Sequence, residues 1–268
     1  MASDSQYVLY DIPTKDPVRC WSWNVWKSRF VLNFKGLDYV TEWVSNTRNI
    51  SNTMHKVTMA MDHLLTLRWQ TEYPEIRTKL QEYFPGKEEF TVPTVRLPNG
   101  EYIMDSMAIA ARIEKDHPEP SLHLDYPHLD RYISNLKEAL IPLQPIYIHA
   151  VAHRLLTEKS LPFFLETRAE DLGMSLDEFH EQGKANAWKD SVSGLTKMKD
   201  MLLEEKDGPF FMGATVSYVD FLWAGVLLFY KALGDDIYAE FLKASGDGGK
   251  TFTELLEAVK PWSGRASG

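Results

Sequence analysis

A change of periodicity divides the chain near His117-Pro118-Glu119-Pro120. Before this segment, short runs of β-forming residues alternate with turn signals, whereas after it apolar residues recur at helical spacing and strand signals fade. A chain of 268 residues is long enough to build two cores. We therefore expect an α/β domain at 1–116 and an all-α helical bundle at 121–268. The main candidate helices of the bundle cover about 126–157, 175–206, 217–232 and 236–246, with shorter pieces between them.

The beginning of the chain predicts a βαβ unit. Residues 6–10 (QYVLY) read as a strand followed by a turn-prone segment. An apolar stripe over 24–35 indicates a helix that Gly36 ends, and the alternating segment 38–43 indicates a second strand.

The end of the first half predicts a ββα unit. Two strands, 90–97 and 101–104, are joined by Pro98-Asn99-Gly100, and Asn-Gly between strands is a strong hairpin signal. Asp105-Ser106 then begins a helix that runs to about residue 114, with an acid and a hydroxyl where the first turn leaves backbone N–H groups unpaired.

Charge and composition exclude several classes of function. The net charge of −9 opposes binding to a nucleic-acid backbone or to an anionic bilayer. The N-terminus has no export-signal pattern, and the longest uncharged apolar run, Phe221 to Tyr230, is too short to span a bilayer. Because Cys20 is the only cysteine, no internal disulfide is possible, and we expect a cytoplasmic protein.

The pair Val92-Pro93 interrupts a strand pattern and is the strongest local sign of a site. Proline removes a ladder donor, so the pair indicates either an exposed edge strand or a special turn with a cis bond. In the second case the N–H and C=O of Val92 face a cleft, and the helix that begins at Asp105-Ser106 offers N–H groups to a carboxylate. Together these groups would hold a peptide backbone and its terminal carboxylate.

The residues described so far resemble the glutathione transferase superfamily. The segment FTVPTVRLPNGEYIMDSMAIAARIE is similar to the glutathione-binding region of that superfamily, and an all-helical half follows it as in the superfamily. The segment WSWNVWK is similar to the W-S-x-N-x-W-K pattern of the fungal etherase-related (GSTFuA-type) branch. The likeness covers nearly the whole chain except 44–70.

The resemblance implies a thioredoxin-like glutathione-binding domain at 1–116 and the helical bundle as the second domain. It implies that Pro93 is cis, that Val92 binds the cysteinyl backbone of glutathione, and that Asp105 and Ser106 bind its γ-glutamyl end. Glutathione is then the co-substrate, and a homodimer is expected.

Ser22 is the catalytic candidate by the same resemblance. A hydroxyl at a helix N-terminus can donate to the glutathione sulfur and favour the thiolate. Trp23 stands where proline is usual in the family, and Asn24 is expected to share or replace the role of the hydroxyl. The alternatives are that Ser22 is only a helix cap, or that Cys20 forms a mixed disulfide with glutathione and makes the protein a thiol transferase.

The branch resemblance implies conjugation of glutathione to a hydrophobic, aromatic electrophile, with peroxidase activity as a further expectation. A ligandin that binds aromatic compounds with little turnover and a non-catalytic thioredoxin-like regulator stay open as alternatives. Tyr147, Trp188 and Phe164 are the candidates for the apolar wall of the second pocket.

Two patterns in the helical half are also assigned. Ser217 and Asp220 fit a capping box before the apolar run FLWAGVLLFY. His149 and His153 stand four residues apart on a helix, but the sequence places no third ligand, so we expect a core or surface pair and no metal.

The last expectation is that residues 44–70 are foreign to the fold. The segment 44–89 is long for a connection between two strands. Joining Trp43 to Thr71 restores a sequence similar to the family, Val44-Ser45 and Gln70 are compatible with the boundaries of a translated intron, and removal keeps the reading frame. The alternative is a natural insertion with a helix near Val57–Trp69.

Overall fold

The computed structural model of the protein describes residues 6–15, 17–44, 74–87, 90–205 and 207–264. The described residues form a four-stranded sheet with flanking helices, followed by a helical second half. None of the helices in these ranges is long and apolar enough to cross a membrane.

The sheet has the strand order β2-β1-β3-β4. Strand β1 pairs in parallel with β2 and antiparallel with β3, and β4 pairs antiparallel with β3. This is the βαβ then ββα arrangement that the sequence predicts, and all five side chains of the central strand β1 are buried. The bounds are β1 Tyr7–Asp11, β2 Tyr39–Trp43, β3 Thr94–Arg96 and β4 Tyr102–Met104.

Within the described residues, three α-helices accompany the sheet and seven follow it. They are α1 Trp23–Phe34, α2 Pro74–Leu80, α3 Ser106–Asp116, α4 Leu129–Leu140, α5 Gln144–Ala150, α6 Leu161–Leu172, α7 Leu176–Leu202, α8 Tyr218–Leu233, α9 Asp235–Ala244 and α10 Lys250–Val259.

Two predicted elements differ from the structure, and proline explains both. The strand expected at 90–97 is paired only from Thr94, because Pro93 has no N–H to donate to a ladder. The long helix expected at 126–157 is broken at 141–143, next to Pro142, into α4 and α5. Helix α5 continues as one π-helical segment, Val151–Leu155.

The two halves are joined by aromatic packing between α1 and α8. Phe30 and Phe221 stack at 5.2 Å between ring centroids, with only 5° between the ring planes. Gly225 of α8 allows the helices to approach closely, since a Cβ there would lie 3.0 Å from the backbone oxygen of Trp23. The position of the α1 N-terminus is therefore set by the helical half.

A buried ion pair fixes the other side of α1. The Arg29 guanidinium donates to Oδ2 of Asp11 at 2.9 Å and to the hydroxyl of Thr41 at 3.0 Å, and both charged side chains are completely buried. This contact ties the end of β1 to α1 and to β2. Because Asp11 is the last residue of β1, the ion pair also holds the start of the loop that leads from β1 to Ser22.

The expected foreign segment 44–70 lies outside the described residues apart from its first member. Val44 is buried, and its N–H donates to the carbonyl of Asp11 at 2.8 Å. Val44 therefore extends the pairing of β2 by one residue.

Candidate functional site

The Val92–Pro93 bond is cis, as the sequence predicts. The carbonyl of Pro93 accepts a hydrogen bond from the N–H of Asp105 at 3.2 Å, which places this turn beside the start of α3. Among the described residues, no backbone hydrogen bond to the N–H or C=O of Val92 is found. These two groups are available to the backbone of a bound peptide.

The start of α3 is built around Asp105, which has a positive φ of 88°. Its Oδ1 accepts hydrogen bonds from the N–H groups of Met107 at 2.9 Å and Ala108 at 3.0 Å. The Asp-Ser pair therefore begins the helix as expected, and one oxygen of the carboxylate is used as the cap. The N–H and hydroxyl of Ser106 stand at the helix N-terminus.

The buried phenol of Tyr218 in α8 lies beside Ser106. Burial raises the pKa of Tyr218, and the neighbouring Ser106 hydroxyl opposes part of this rise. The backbone N–H of Tyr218 donates to the carbonyl of Leu122 at 2.7 Å. The helical half thus reaches the start of α3 in the candidate site.

Ser22 occupies the N-cap position of α1, but its hydroxyl makes no capping hydrogen bond. The first helical bond runs instead from the N–H of Trp26 to the carbonyl of Ser22 at 3.0 Å. The alternative in which the hydroxyl serves as a helix cap is therefore not realised. The hydroxyl stands at the positive end of the helix dipole without that structural task.

Lys27 connects Asn24 to the start of α3 and is a residue that the sequence analysis did not assign. Its Nζ donates to Oδ1 of Asn24 at 2.8 Å. Burial lowers the pKa of Lys27 to about 8, while the nearby Asp105 carboxylate favours the charged form. The spacing of three residues between Asn24 and Lys27, which puts both on one face of α1, was a signal available from the sequence.

Cys20 is unsuited to the role of a thiolate. It is 3% exposed and lies beside the buried Asp11–Arg29 pair. Burial raises the pKa of Cys20 well above its ordinary value, and the neighbouring Asp11 carboxylate raises it further. A reactive cysteine needs exposure and a lowered pKa, so the structure argues against the thiol-transferase alternative.

An aromatic cluster lies next to Ser22. Trp23 is half-buried and meets Tyr147 and Phe229 edge-on, at 5.6 Å and 4.8 Å between ring centroids. Of the three wall candidates, Tyr147 therefore contacts Trp23 beside Ser22, although it is itself fully buried. Trp188 is half-buried on α7, whereas Phe164 is fully buried under the Arg168 guanidinium and belongs to the core.

The capping box of α8 is confirmed. The N–H and the hydroxyl of Ser217 both donate to Oδ2 of Asp220, at 2.7 Å and 2.8 Å, and the N–H of Phe211 donates to Oδ1 at 2.9 Å. Burial raises the pKa of Asp220 to about 6, although these hydrogen bonds favour the carboxylate. This arrangement stabilises the helix that carries Tyr218 and Phe229.

Comparison with known proteins gives a consistent result along most of the chain. Residues 21–116 match the model of the glutathione S-transferase N-terminal domain, and residues 132–262 match that of the C-terminal domain. A curated relative is the glutathione S-transferase-like protein ustS of Aspergillus flavus, which is 21% identical over 91% of this chain and 85% of its own length.

Solved structures of fungal transferases have the same fold over nearly their whole length. A glutathione S-transferase of Ceriporiopsis subvermispora, in complex with glutathione, is 26% identical with a TM-score of 0.75, over 96% of this chain and 98% of that one. Glutathione transferase GSTFuA3 of Phanerochaete chrysosporium is 25% identical with a TM-score of 0.74, over 96% and 97% of the two chains. The thioredoxin-like domain, the helical domain and both family matches therefore lead to one conclusion: the chain belongs to the glutathione S-transferase family, enzymes whose co-substrate is glutathione.

Proposed function

We propose that the protein lowers the pKa of the glutathione thiol with the hydroxyl of Ser22 and directs the thiolate at a hydrophobic, aromatic electrophile. The observation that carries this proposal is the Ser22 hydroxyl, which stands at the N-terminus of α1 and makes no capping hydrogen bond. A donor at this position stabilises a negative sulfur more than a neutral one. Asn24, two residues further along the chain, assists by holding Lys27.

The remaining groups bind the rest of the glutathione molecule. The backbone groups of Val92, to which no described residue makes a backbone hydrogen bond, pair with the cysteinyl part, with Pro93 shaping the turn. Ser106 binds the γ-glutamyl carboxylate at the start of α3, and the second oxygen of Asp105 faces the γ-glutamyl amine. Lys27 adds a positive charge at the same end of the site.

The partly exposed ring of Trp23 supports an aromatic second substrate. Trp23 follows Ser22 directly and is held edge-on by Tyr147 and Phe229. An aromatic ring that stacks on Trp23 would lie close to the sulfur, and such pairs contribute about 0.5–1.5 kcal/mol beyond the burial of their area. Reduction of organic peroxides by the same thiolate is a second reaction of this site.

Steady-state kinetics with glutathione and an activated aryl chloride test the proposal. Ser22→Ala should lower kcat roughly 10- to 100-fold with little change in the KM for glutathione, because one charge-assisted donor to the sulfur is lost. Ser22→Thr, which keeps the hydroxyl, should retain most of the activity, and Cys20→Ser should leave it near the wild-type level. If Cys20→Ser abolishes activity while Ser22→Ala does not, the thiol-transferase alternative is correct.

The same preparation separates an enzyme from a ligandin. Tight displacement of a fluorescent aromatic dye without measurable turnover of any electrophile would show a binding protein. Turnover that saturates with both substrates supports the transferase.

We further propose that the protein acts as a cytoplasmic homodimer. The single, buried cysteine and the net charge of −9 suit a reducing, aqueous compartment. Tyr83 and Met107 are large apolar side chains that are 43% and 39% exposed, and a second copy would cover them. Analytical ultracentrifugation gives the oligomeric state, and Met107→Glu should shift it toward the monomer.

A further inference from the structure

Three side chains of the helical half, none of which takes part in the proposed transferase site, converge near the α5–α7 contact. His149 lies in α5, His153 lies in the π-helical segment that continues it, and Asp177 lies in the first turn of α7. Oδ1 of Asp177 is 3.2 Å from Nε2 of His149 and 3.5 Å from Nε2 of His153. The three ligand atoms all lie within 4.8 Å of one another.

The two separations from Asp177 fit one small ion. Zinc binds imidazole nitrogen and carboxylate oxygen at about 2.0–2.2 Å, so two ligand atoms of one tetrahedral ion are about 3.3 Å apart. The two measured distances to Asp177 bracket that value. The two imidazole rings are also neighbours, with 4.3 Å between their centroids.

The local structure holds the three groups in place. A capping box between Ser175 and Glu178 fixes the first turn of α7 and therefore the position of Asp177. The ring of His180 stacks on that of His149 with 4.1 Å between the ring centroids. Nδ1 of His180 is 2.8 Å from the carbonyl oxygen of Pro145. These contacts tie α7 to α5 and limit the rotation of the His149 ring.

The cationic residue nearest in sequence to the two histidines pairs with a different carboxylate. Arg154 follows His153 directly, but its guanidinium forms two hydrogen bonds to the carboxylate of Asp236, at 2.6 Å and 2.9 Å. Nε2 of both histidines and the Asp177 carboxylate offer the mixed nitrogen and oxygen donors that borderline divalent ions prefer.

We propose that His149, His153 and Asp177 form a binding site for one divalent transition-metal ion of the Zn²⁺ type. Three protein ligands leave a fourth tetrahedral position for water or an external ligand. The ion joins α5 to α7. Since Nζ of Lys15 donates to the carbonyl of His153 at 3.0 Å, the ion also stiffens the contact between the helical half and the loop that precedes Ser22.

The test uses the full chain without a histidine tag, freed of metal by a chelator and then exchanged into chelator-free buffer. Binding of Zn²⁺ is measured by calorimetry and that of Co²⁺ by its visible absorption, because tetrahedral Co²⁺ with nitrogen and oxygen ligands absorbs strongly. Glutathione is left out because its thiol binds these ions itself. Wild type should bind one equivalent, and Zn²⁺ should raise its Tm.

The variants are His153→Ala and Asp177→Asn, whose side chains are 44% and 75% exposed, so neither change opens a cavity in the core. Each should weaken Zn²⁺ binding at least about tenfold and abolish the tetrahedral Co²⁺ spectrum. The matched controls, His128→Ala and Asp130→Asn, are exposed residues on or beside α4 and should bind like the wild type. Absence of saturable binding, or equal binding by His153→Ala and the controls, would overturn the proposal.

Discussion

Lys27 and Asp105 give the candidate glutathione site a charge of each sign. Asp105 uses one carboxylate oxygen to cap α3, and we propose that the other pairs with the amine of a γ-glutamyl group. Lys27 is half-buried against Asn24, and its pKa of about 8 lies close to neutral pH. We therefore expect the strength of anion binding at this end of the site to depend on pH.

Binding of S-methylglutathione should weaken as the pH rises through about 8. Below that pH Lys27 is protonated and attracts a carboxylate, whereas above it the charge is lost. The blocked thiol of this ligand removes the ionisation of the sulfur from the measurement. Calorimetry between about pH 6.5 and about pH 9 should show a roughly fivefold loss of affinity, equivalent to ~1 kcal/mol. Lys27→Arg, which stays charged over this range, should remove the dependence, and an equal loss in both proteins would contradict the assignment.

Asp11→Ala should lower the free energy of unfolding by about 3–5 kcal/mol, because it removes the carboxylate that balances the charge of the buried Arg29 guanidinium. Burial lowers the pKa of Arg29, but the charge and hydrogen bond of Asp11, together with the neighbouring Cys20 and Tyr39, raise it overall, so the arginine stays charged. Urea denaturation gives the value. Glu42→Gln serves as the control, because it breaks a partly exposed pair with Lys79 and should cost less than about 1 kcal/mol. Equal losses in the two variants would show that the buried ion pair contributes no more to the free energy of unfolding than the partly exposed one.

At the scale of elements, the helices of the second half pack closely because of glycine. A Cβ at Gly194 of α7 would lie 2.1 Å from the backbone nitrogen of Ala139 in α4. Backbone atoms cannot move aside as a flexible side chain can. The crossing of α4 and α7 therefore depends on this one position.

Gly194→Ala should destabilise the protein by at least about 1–3 kcal/mol, although the same change in a helix interior ordinarily gains up to about 1 kcal/mol. A loss of stability, where this substitution ordinarily gives a gain, is the result that indicates the close crossing. Thermal and urea unfolding measure it, with Gly225→Ala as a milder case because its nearest backbone atom is 3.0 Å away. A variant as stable as the wild type would show that α4 and α7 do not cross this closely.

The elements that the sequence predicted well carry local signals. The helix beginning at Asp105-Ser106 and the capping box of α8 follow from residues within one turn. The break between α4 and α5 was missed although Pro142 marks it, because the apolar spacing continues on both sides. Lys27 beside Asp105 and Asp177 beside the two histidines were missed because tertiary contacts between different elements bring them together.

For the whole molecule, the two halves share one core across α1 and α8. Phe221 packs on the rings of both Phe30 and Phe34, and Trp262 near the end of the described chain packs on Phe34 at 5.2 Å. The amide of Asn33 donates to the carbonyl of Trp262 at 2.7 Å. The helix that begins at Ser22 is thus held by both halves, and its N-terminus has a defined position in the site.

That residues 44–70 are foreign to the fold stays a prediction. Deleting them should raise Tm and the affinity for glutathione, because the shortened connection restores the length and sequence typical of the family. A second deletion, of 45–70, keeps the buried Val44 and its bond to Asp11 and should be at least as stable. If either deletion unfolds the protein, or if the gene lacks GT and AG at the boundaries, the segment is no retained intron.

The pKa of the thiol of bound glutathione tests the central claim, that Ser22 makes glutathione a nucleophile. It is measured from the ultraviolet absorbance of the thiolate as the complex is titrated with base, in the wild type and in Ser22→Ala and Cys20→Ser. A free thiol has a pKa of about 8.5. We predict a bound thiol at least about one unit lower in the wild type and in Cys20→Ser, and a return toward the free value in Ser22→Ala. An unchanged pKa in Ser22→Ala would contradict it.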